Sequence, residues 1–381
     1  MNINCTAELA EMRPLLRRFV TDQLEPLSRQ IDATGVVAPQ AMARLREQGY
    51  LGMRLSPEWG GGGLDLSTYC LVMEEVARSH RAYTLMLDTT SGLTPIAIER
   101  HGTDAQKRKY LAQLASGEWL ASFALTEPDA GSDAAALSTR AVKVAGGWKI
   151  DGLKHYISAA HRAQVLMVLA VTDPALRARG GITAFLVDKG MPGMSVDRVD
   201  KTIGSDPIEL GEVRFDACFV PDEAVLGQPG QGFAIAMGSL TSGRMGVSAA
   251  CIGVADRLIE LGVQYAKDRV TFGQPLSQRQ SIQWMLADSA TELAHARTMA
   301  YEVMRRLDAG EDVGSGPSMV KLFCSEMVGR VADRVVQIFG GSGLIRGVPV
   351  ERFYRDVRHY RVGEGSSEIQ RMMIARALFE A

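Results

Sequence analysis

One carboxylate stands in an unusual setting: Glu364, between Gly363 and Gly365 in the run Arg361-Val-Gly-Glu-Gly-Ser-Ser-Glu-Ile-Gln370. The two glycines leave the acid unscreened by neighbouring side chains and allow backbone conformations that other residues resist, which suits a base approaching a substrate closely. Ser367, with Gln370 three positions on, matches a capping box ahead of Met372, Met373 and Ile374, so Glu364 is expected just outside a helix N-terminus. An acid that merely complements the helix dipole would occupy the same place. The local sequence leaves both readings open. Two further segments could do chemistry. Thr126-Glu-Pro-Asp-Ala-Gly-Ser132-Asp133 is a polar turn offering short hydroxyls and unblocked amides. Gly152-Leu-Lys-His-Tyr156-Ile-Ser158 places an aromatic face and a hydroxyl two residues apart along a strand, able to cover and hydrogen-bond a planar heterocycle or equally to pack in a core.

The elements that must hold these segments change character along the chain. From residue 5 to about 118, Leu15, Val20, Leu24 and Leu27, then Met42, Leu45 and Leu51, then Leu71, Met73, Val76 and Ala77 recur near three and four apart, predicting a helical domain. Ser56-Pro-Glu-Trp59 and four glycines at 60 to 63 interrupt it with a loop of unusual backbone freedom. Asp104 is a candidate N-cap for a helix over 105–115. Between about 120 and 226 the texture is short and β-rich, with runs at 148–150, 165–171, 182–187 and 213–215 punctuated by glycines. No ten-residue helical pattern separates these runs, so an antiparallel β domain is favoured over a Rossmann sheet. Long helical patterns return at 233 to about 263, 281 to about 307, 318 to about 339 and after Ser367, reading as an antiparallel bundle. The fold class is therefore α+β, mostly α, divided as 1–119, 120–228 and 229–381.

Bulk properties narrow the function. At 381 residues the chain is long for one core. With 46% apolar and 23% charged residues and a net charge of −2, it shows no acidic or basic run that would mark nucleic acid or an anionic membrane surface as its main partner. No stretch approaches a membrane span, and neither a signal-peptide nor a transit-peptide pattern is present, with Glu8, Glu11 and Asp22 near the start; a cytoplasmic protein is expected. Five scattered cysteines without a Cys-x-x-Cys pair fit a reducing compartment, and six histidines without ligand spacing give no metal site.

Taken together, the 126–133 and 152–158 segments, Arg269-Val-Thr-Phe272-Gly273, Gln337-Ile-Phe-Gly340-Gly341-Ser-Gly343 and Gly363-Glu364-Gly365 occur in the order and spacing of the acyl-CoA dehydrogenase flavoprotein family. The resemblance runs from about Pro57 to Arg376. It implies an N-terminal helical domain, a middle β domain and a C-terminal four-helix bundle, assembled as a homotetramer with FAD between domains and subunits. Carried over by position, Phe123, Leu125 and Thr126 resemble the strand that addresses the flavin's pyrimidine side. Ser132 resembles a contact near the pyrophosphate and thioester arm, serving cofactor and substrate alike. Tyr156 stands where many relatives have a tryptophan beside the isoalloxazine, and Ser158 resembles the hydroxyl bonded to flavin N5. Arg269 and Phe272 resemble side chains that a neighbouring subunit offers to the diphosphate and adenine, with Gln280, Gln337, Gly340 and Gly341 as adenosine-side contacts and Ser366 and Glu368 as further cofactor contacts.

Glu364 then aligns with the family's catalytic base. Some relatives carry that base on the first C-terminal-domain helix beside an arginine; here Gly243 precedes Arg244, so no carboxylate competes, and Arg244 and Gly365 are left as substrate-side supports. The implied reaction is dehydrogenation of an acyl-CoA thioester to the trans-2-enoyl product, with α-proton removal by Glu364 and β-hydride transfer to flavin N5. An electron-transferring flavoprotein would then take the electrons. The helix N-terminus is expected to hold the carboxylate ionised until substrate dries the site. An oxidase, a carrier-protein-thioester dehydrogenase, or a non-catalytic scaffold of the same fold are the alternatives. Three positions depart from or bear on the pattern: Asp206 and Ile208 replace a frequent arginine and serine, and Leu87, in a stretch Tyr83 to Thr94 expected to form the pocket floor, replaces the glutamate of medium-chain relatives.

Overall fold

The computed structural model describes residues 7–204 and 209–380, so Asp206 and Ile208 lie outside the described residues. The N-terminal domain is built from α1 (Ala7–Phe19), α2 (Glu25–Thr34), α3 (Pro39–Glu47), α4 (Leu66–Ala77), α5 (Arg81–Ser91), α6 (Leu93–His101) and α7 (Asp104–Ala115). The cap of α7 lies one residue before the expected Asp104. Thr103 Oγ accepts from Gln106 N–H at 3.3 Å and Gln106 Oε1 from Thr103 N–H at 2.9 Å, a reciprocal box that satisfies two otherwise unpaired donors. The glycine loop folds back on the chain before it: a side chain on Gly61 would meet the Leu55 carbonyl at 2.1 Å. Helix α5 stops at Gly92 and α6 restarts at Leu93, so the expected floor Tyr83 to Thr94 is two helices with a corner between them.

The middle domain holds β1 (Ala121–Ala124), β2 (Arg140–Val144), β3 (Gly147–Ser158), β4 (Val165–Val171), β5 (Ile182–Asp188), β6 (Met194–Asp200), β7 (Leu210–Pro221) and β8 (Val225–Leu226), ordered β6-β7-β3-β2-β4-β5-β8 with β1 on β4. Most pairings are antiparallel, but β1 runs parallel to β4, and Arg140 of β2 pairs in parallel with Val171. The sheet is thus mixed. Strand β4 is buried at every residue because its two faces enter two cores. Val165, Met167 and Leu169 meet Ile98, Leu111 and Leu114 of the helical domain, while Leu166 and Val168 meet Ile150, Val213 and Phe215 within the β domain. A strand covered on both sides reads as a continuous apolar run.

The C-terminal domain begins with α8 (Gly232–Asp268), turns through a hairpin of β9 (Val270–Thr271) and β10 (Gln274–Pro275), and continues as α9 (Gln280–Asp308), α10 (Gly316–Phe339), α11 (Pro349–Val357) and α12 (Ser367–Glu380). Helix α4 packs directly on α8, close enough that a Cβ on Gly253 would stand 1.8 Å from the Glu74 carbonyl. Two buried acids on α4 need partners there, since an unpaired charge inside a protein is costly. Glu74 receives Arg13, Arg297 at 2.8 Å and the Tyr301 hydroxyl at 2.8 Å, and Glu75 receives Arg13 at 2.7 Å and Arg17 at 2.9 Å. Arg17 and Arg78 also reach Asp256, so one charge network joins α1, α4, α8 and α9. No helix of the described residues is long and apolar enough to cross a membrane, and no metal-holding cluster of His, Cys, Asp or Glu occurs among them.

Candidate active site

Glu364 lies on the turn between α11 and α12 with φ of +58°, a left-handed conformation that costs a non-glycine residue about 1–2 kcal/mol. Such strain persists where surrounding groups fix it. Val362 N–H and Gly363 N–H donate to the His359 carbonyl at 2.8 and 3.1 Å, closing the turn from one side. From the other, Lys321 Nζ donates to the Gly365 carbonyl at 2.7 Å, and Gln370 Nε2 to the Glu364 and Gly365 carbonyls at 3.1 and 3.0 Å. Arg244 Nε reaches the Glu364 carbonyl at a long 3.5 Å. Gln370 is therefore not half of a capping box with Ser367. The cap is Ser366, whose Oγ accepts from Ile369 N–H at 3.4 Å, while Ser367 Oγ donates to Glu326 at 2.7 Å.

The residue is half-buried, yet its carboxyl end is enclosed: Oε2 has neither solvent nor a hydrogen-bond partner. It rests against α8 at Gly243, where an added Cβ would stand 2.6 Å from Oε2 and 2.9 Å from Leu93 Cδ2. Burial, with the charge of Asp88, pushes the Glu364 carboxyl up to about 8 against the opposing pull of Arg244 and Lys321. Burial likewise pushes Asp88 up to about 6, opposed by Arg54 and by a hydrogen bond from Tyr69. Enclosure thus outweighs the helix N-terminus expected to keep the carboxylate ionised, and places its proton affinity in the range of a base working near neutral pH.

Phe123, Leu125 and Thr126 follow β1 and are brought against the end of β3. Ser122 Oγ donates to the Ser158 carbonyl at 2.7 Å, and His155 N–H to the Thr126 carbonyl at 2.8 Å. A buried pair fixes the loop behind them: Lys154 Nζ reaches Glu127 at 2.8 Å and the Leu125 carbonyl at 3.0 Å, while Glu127 also accepts from Ser138 and Thr139. Burial would raise Glu127, but Lys154 and these donors overcome it and bring the carboxyl down to about 2. Lys154 is also driven down, to about 8, because burial outweighs its one carboxylate. The β3–β7 register shifts between Lys154 and Ile157, and Tyr156 has φ of +58°, so the simple two-residue alternation fails there. Tyr156 and Ser158 are accessible all the same, with buried Ile157 between them. The Tyr156 ring is 57% exposed and stacks on His155 at 3.9 Å, and the hydroxyls of Thr126 and Ser158 have no intrachain partner among the described residues. Ser132 is exposed on the loop.

A second group gathers at the far end of α8. Tyr265 stacks on Phe339 at 4.1 Å, which sets Arg269, Phe272 and Gln280 beside Gln337, Gly340 and Gly341. All six are exposed, Phe272 at 97% with φ of +51°, and a Cβ on Gly340 or Gly341 would meet nothing within 4 Å. No hydrogen bond or ring contact joins them to Thr126, Tyr156 or Ser158 among the described residues. Glu368 is exposed on the first turn of α12.

Known proteins decide the identity. Family models described as acyl-CoA dehydrogenase N-terminal, middle and C-terminal domains match residues 6–118, 122–218 and 230–379. The chain belongs to the acyl-CoA dehydrogenase family. A protein of Bacillus subtilis (strain 168) named acyl-CoA dehydrogenase is 36% identical over 378 residues, covering 99% of each chain. Acryloyl-CoA reductase (NADH) of Anaerotignum propionicum is 36% identical over 382 residues, covering 100% of this chain and 96% of its own. The structure of butyryl-CoA dehydrogenase from Megasphaera elsdenii superposes with a TM-score of 0.93 at 33% identity, covering 100% of both chains. The enzymes of this family are FAD-dependent oxidoreductases acting on acyl-CoA.

Several residues of this acyl-CoA dehydrogenase site escaped sequence reasoning. Lys321, fully buried, lies on the inner face of α10 with Pro317, Cys324 and Val328, so its helical spacing marked it as an interior cation. Asp88, one residue beyond Leu87, carried no such signal. Arg54 was also missed; its guanidinium lies over Tyr69 at 5.2 Å and donates to Ser242 beside Gly243. Those contacts join segments far apart in sequence.

Proposed function

We propose that Glu364 removes the α-proton of an acyl-CoA thioester, giving the trans-2-enoyl-CoA. The observation that carries this reading is the enclosed Glu364 carboxyl, held in a left-handed turn against Gly243 with its proton affinity raised by burial. A carboxylate stripped of water is a stronger base, and its fixed position replaces a chance encounter with an oriented one. Lys321, Gln370 and Arg244 bind the carbonyls on either side of the base's Cα–C bond and so aim its side chain. FAD supplies the hydride acceptor for the β-hydrogen when bound. The groups that would hold it fit: the unpartnered Thr126 and Ser158 hydroxyls and the Tyr156 ring on one wall, with Ser132 nearby. The exposed Arg269–Phe272 and Gln337–Gly341 cluster would serve a neighbouring subunit's FAD, Arg269 as a forked donor to its diphosphate. Apolar surface on α9 and α12, including Trp284, Met372, Leu378 and Phe379, supports a homo-oligomer, which we place at a tetramer. An electron-transferring flavoprotein is the proposed acceptor.

The test is Glu364→Gln. The variant should load FAD like the wild type and lose anaerobic flavin bleaching with every acyl-CoA that bleaches the parent; bleaching at the parent's rate removes Glu364 from the role. A second reading, reduction of an enoyl-CoA, is favoured by a carboxyl near 8, which carries a proton to deliver at neutral pH, and by the similarity to acryloyl-CoA reductase. Reoxidation of the reduced flavin by an enoyl-CoA more rapid than its bleaching by the saturated thioester would support that direction.

A further inference from the structure

Lys321 is an odd residue for its place. It has no exposed surface, its neighbours on α10 include Val320, Cys324 and Val328, and no carboxylate lies within ion-pairing distance among the described residues. An apolar side chain would satisfy the bundle better, because a buried ammonium loses its hydration. The one acceptor it has is the Gly365 carbonyl at 2.7 Å. That carbonyl belongs to the second of two consecutive left-handed residues, Glu364 at +58° and Gly365 at +88°. Gln370 donates to both carbonyls of this kink from α12, so two helices hold it. Releasing either carbonyl would let Glu364 relax toward an ordinary backbone conformation and swing its carboxyl off Gly243.

We infer that Lys321 is the positioning residue of the catalytic base: its ammonium fixes the Glu364–Gly365 kink so that the carboxyl lies against Gly243, and its charge sets how tightly that carboxyl holds a proton. This rests on the reading of Glu364 as the base. The titratable and charged groups facing the pair are Tyr69 from α4, Asp88 from α5, Arg244 and Cys251 from α8, Glu326 from α10 and His359 from the turn after α11. Of these, Asp88 raises the carboxyl and Arg244 lowers it together with Lys321. The sign of the effect follows. A cation beside a carboxyl favours its ionised form, so removing the cation raises proton affinity and leaves less free base at a given pH.

The experiment compares wild type, Lys321→Met, Lys321→Gln and Lys321→Arg, all loaded with FAD. Two quantities are read against pH: the rate of anaerobic bleaching by a saturating acyl-CoA, and protonation of the Glu364 carboxyl by infrared difference spectroscopy, assigned by its absence in Glu364→Gln. Both neutral variants should shift both midpoints upward by about one unit, which is a tenfold loss of ionised base below the midpoint. Lys321→Arg should return the midpoint toward the wild type. Should Lys321→Met fail to fold, Lys321→Gln, which keeps a donor, carries the charge test. Neutral variants that bind FAD, with or without a lowered melting temperature, and whose two midpoints coincide with the wild type's overturn the inference. If instead Glu364→Gln still bleaches, it is the base assignment that has failed.

Discussion

Replacing Gly243 by alanine would put a methyl group where the Glu364 carboxyl now rests. The added Cβ would stand 2.6 Å from Oε2, 3.0 Å from Cδ and 2.9 Å from Leu93 Cδ2. Ordinary contact begins at 3.4 Å, so the carboxyl must retreat by roughly 0.8 Å, the gap between 2.6 and 3.4 Å. It cannot slide as a unit, because the carbonyls of Glu364 and Gly365 are tied to Lys321 and Gln370. A displacement approaching 1 Å at a reacting group costs on the order of 10²-fold in rate. That is about 2.7 kcal/mol of barrier at 1.36 kcal/mol per decade. Stability moves the other way, since alanine inside a helix such as α8 gains about 0.8–1 kcal/mol of propensity over glycine, which offsets part of the crowding. The variant should fold and hold FAD. Mixing it anaerobically with a saturating acyl-CoA and following flavin absorbance isolates the proton-abstraction step from electron export. A bleaching rate within twofold of the wild type's would show that the carboxyl does not work from its place against Gly243, and would refute the geometry proposed for the base.

Three further outcomes are expected. Lys154→Met leaves Glu127 buried without its cation and should cost about 3–5 kcal/mol, measured as a lowered urea midpoint together with weaker FAD binding; an unchanged FAD affinity would mean that the 127–139 loop does not shape the cofactor wall. Glu127 titrates from an ordinary value of 4.5 down to about 2 in the fold, so its contribution is fully present above 4.5 and lost as pH falls toward 2. At 1.36 kcal/mol per unit that is about 3 kcal/mol, and Glu127→Gln should flatten acid destabilisation over that window; curves of equal steepness would contradict it. Finally, burial pushes the thiols of Cys70, Cys218, Cys251 and Cys324 upward, so native protein should expose at most one thiol to a disulfide reagent, and more than one per chain would show that the cores open.

The sequence made the long helices legible because a 3.6-residue pattern is a local property, and α8, α9 and α10 fall close to where it placed them. Caps were less legible: at Ser366-Ser367 two candidate residues are adjacent, and only the side-chain directions show that Ser367 bonds Glu326. Pairing partners in a sheet are not written in alternation at all, which is why the parallel β1–β4 contact was not foreseen. The candidate site divides in the same way. Glu364 announced itself through its glycines, whereas the raised proton affinity of its carboxyl depends on Asp88, Arg244 and Lys321, which reach it from three different helices. Tyr156 was found as an aromatic beside a hydroxyl, but the bulge that turns it outward is visible only in the register.

Helix α8 carries Gly243 against the base near one end and leads into Arg269 at the other, 37 residues that span about 55 Å at 1.5 Å per residue. With Arg269 serving a neighbour's FAD as proposed, each chain finishes a reaction centre that is not its own. Two defective chains could then restore activity between them. Co-assembly of Glu364→Gln with Arg269→Ala subunits would generate some centres in which both lesions fall together and others that carry neither, so mixtures would outperform either parent alone.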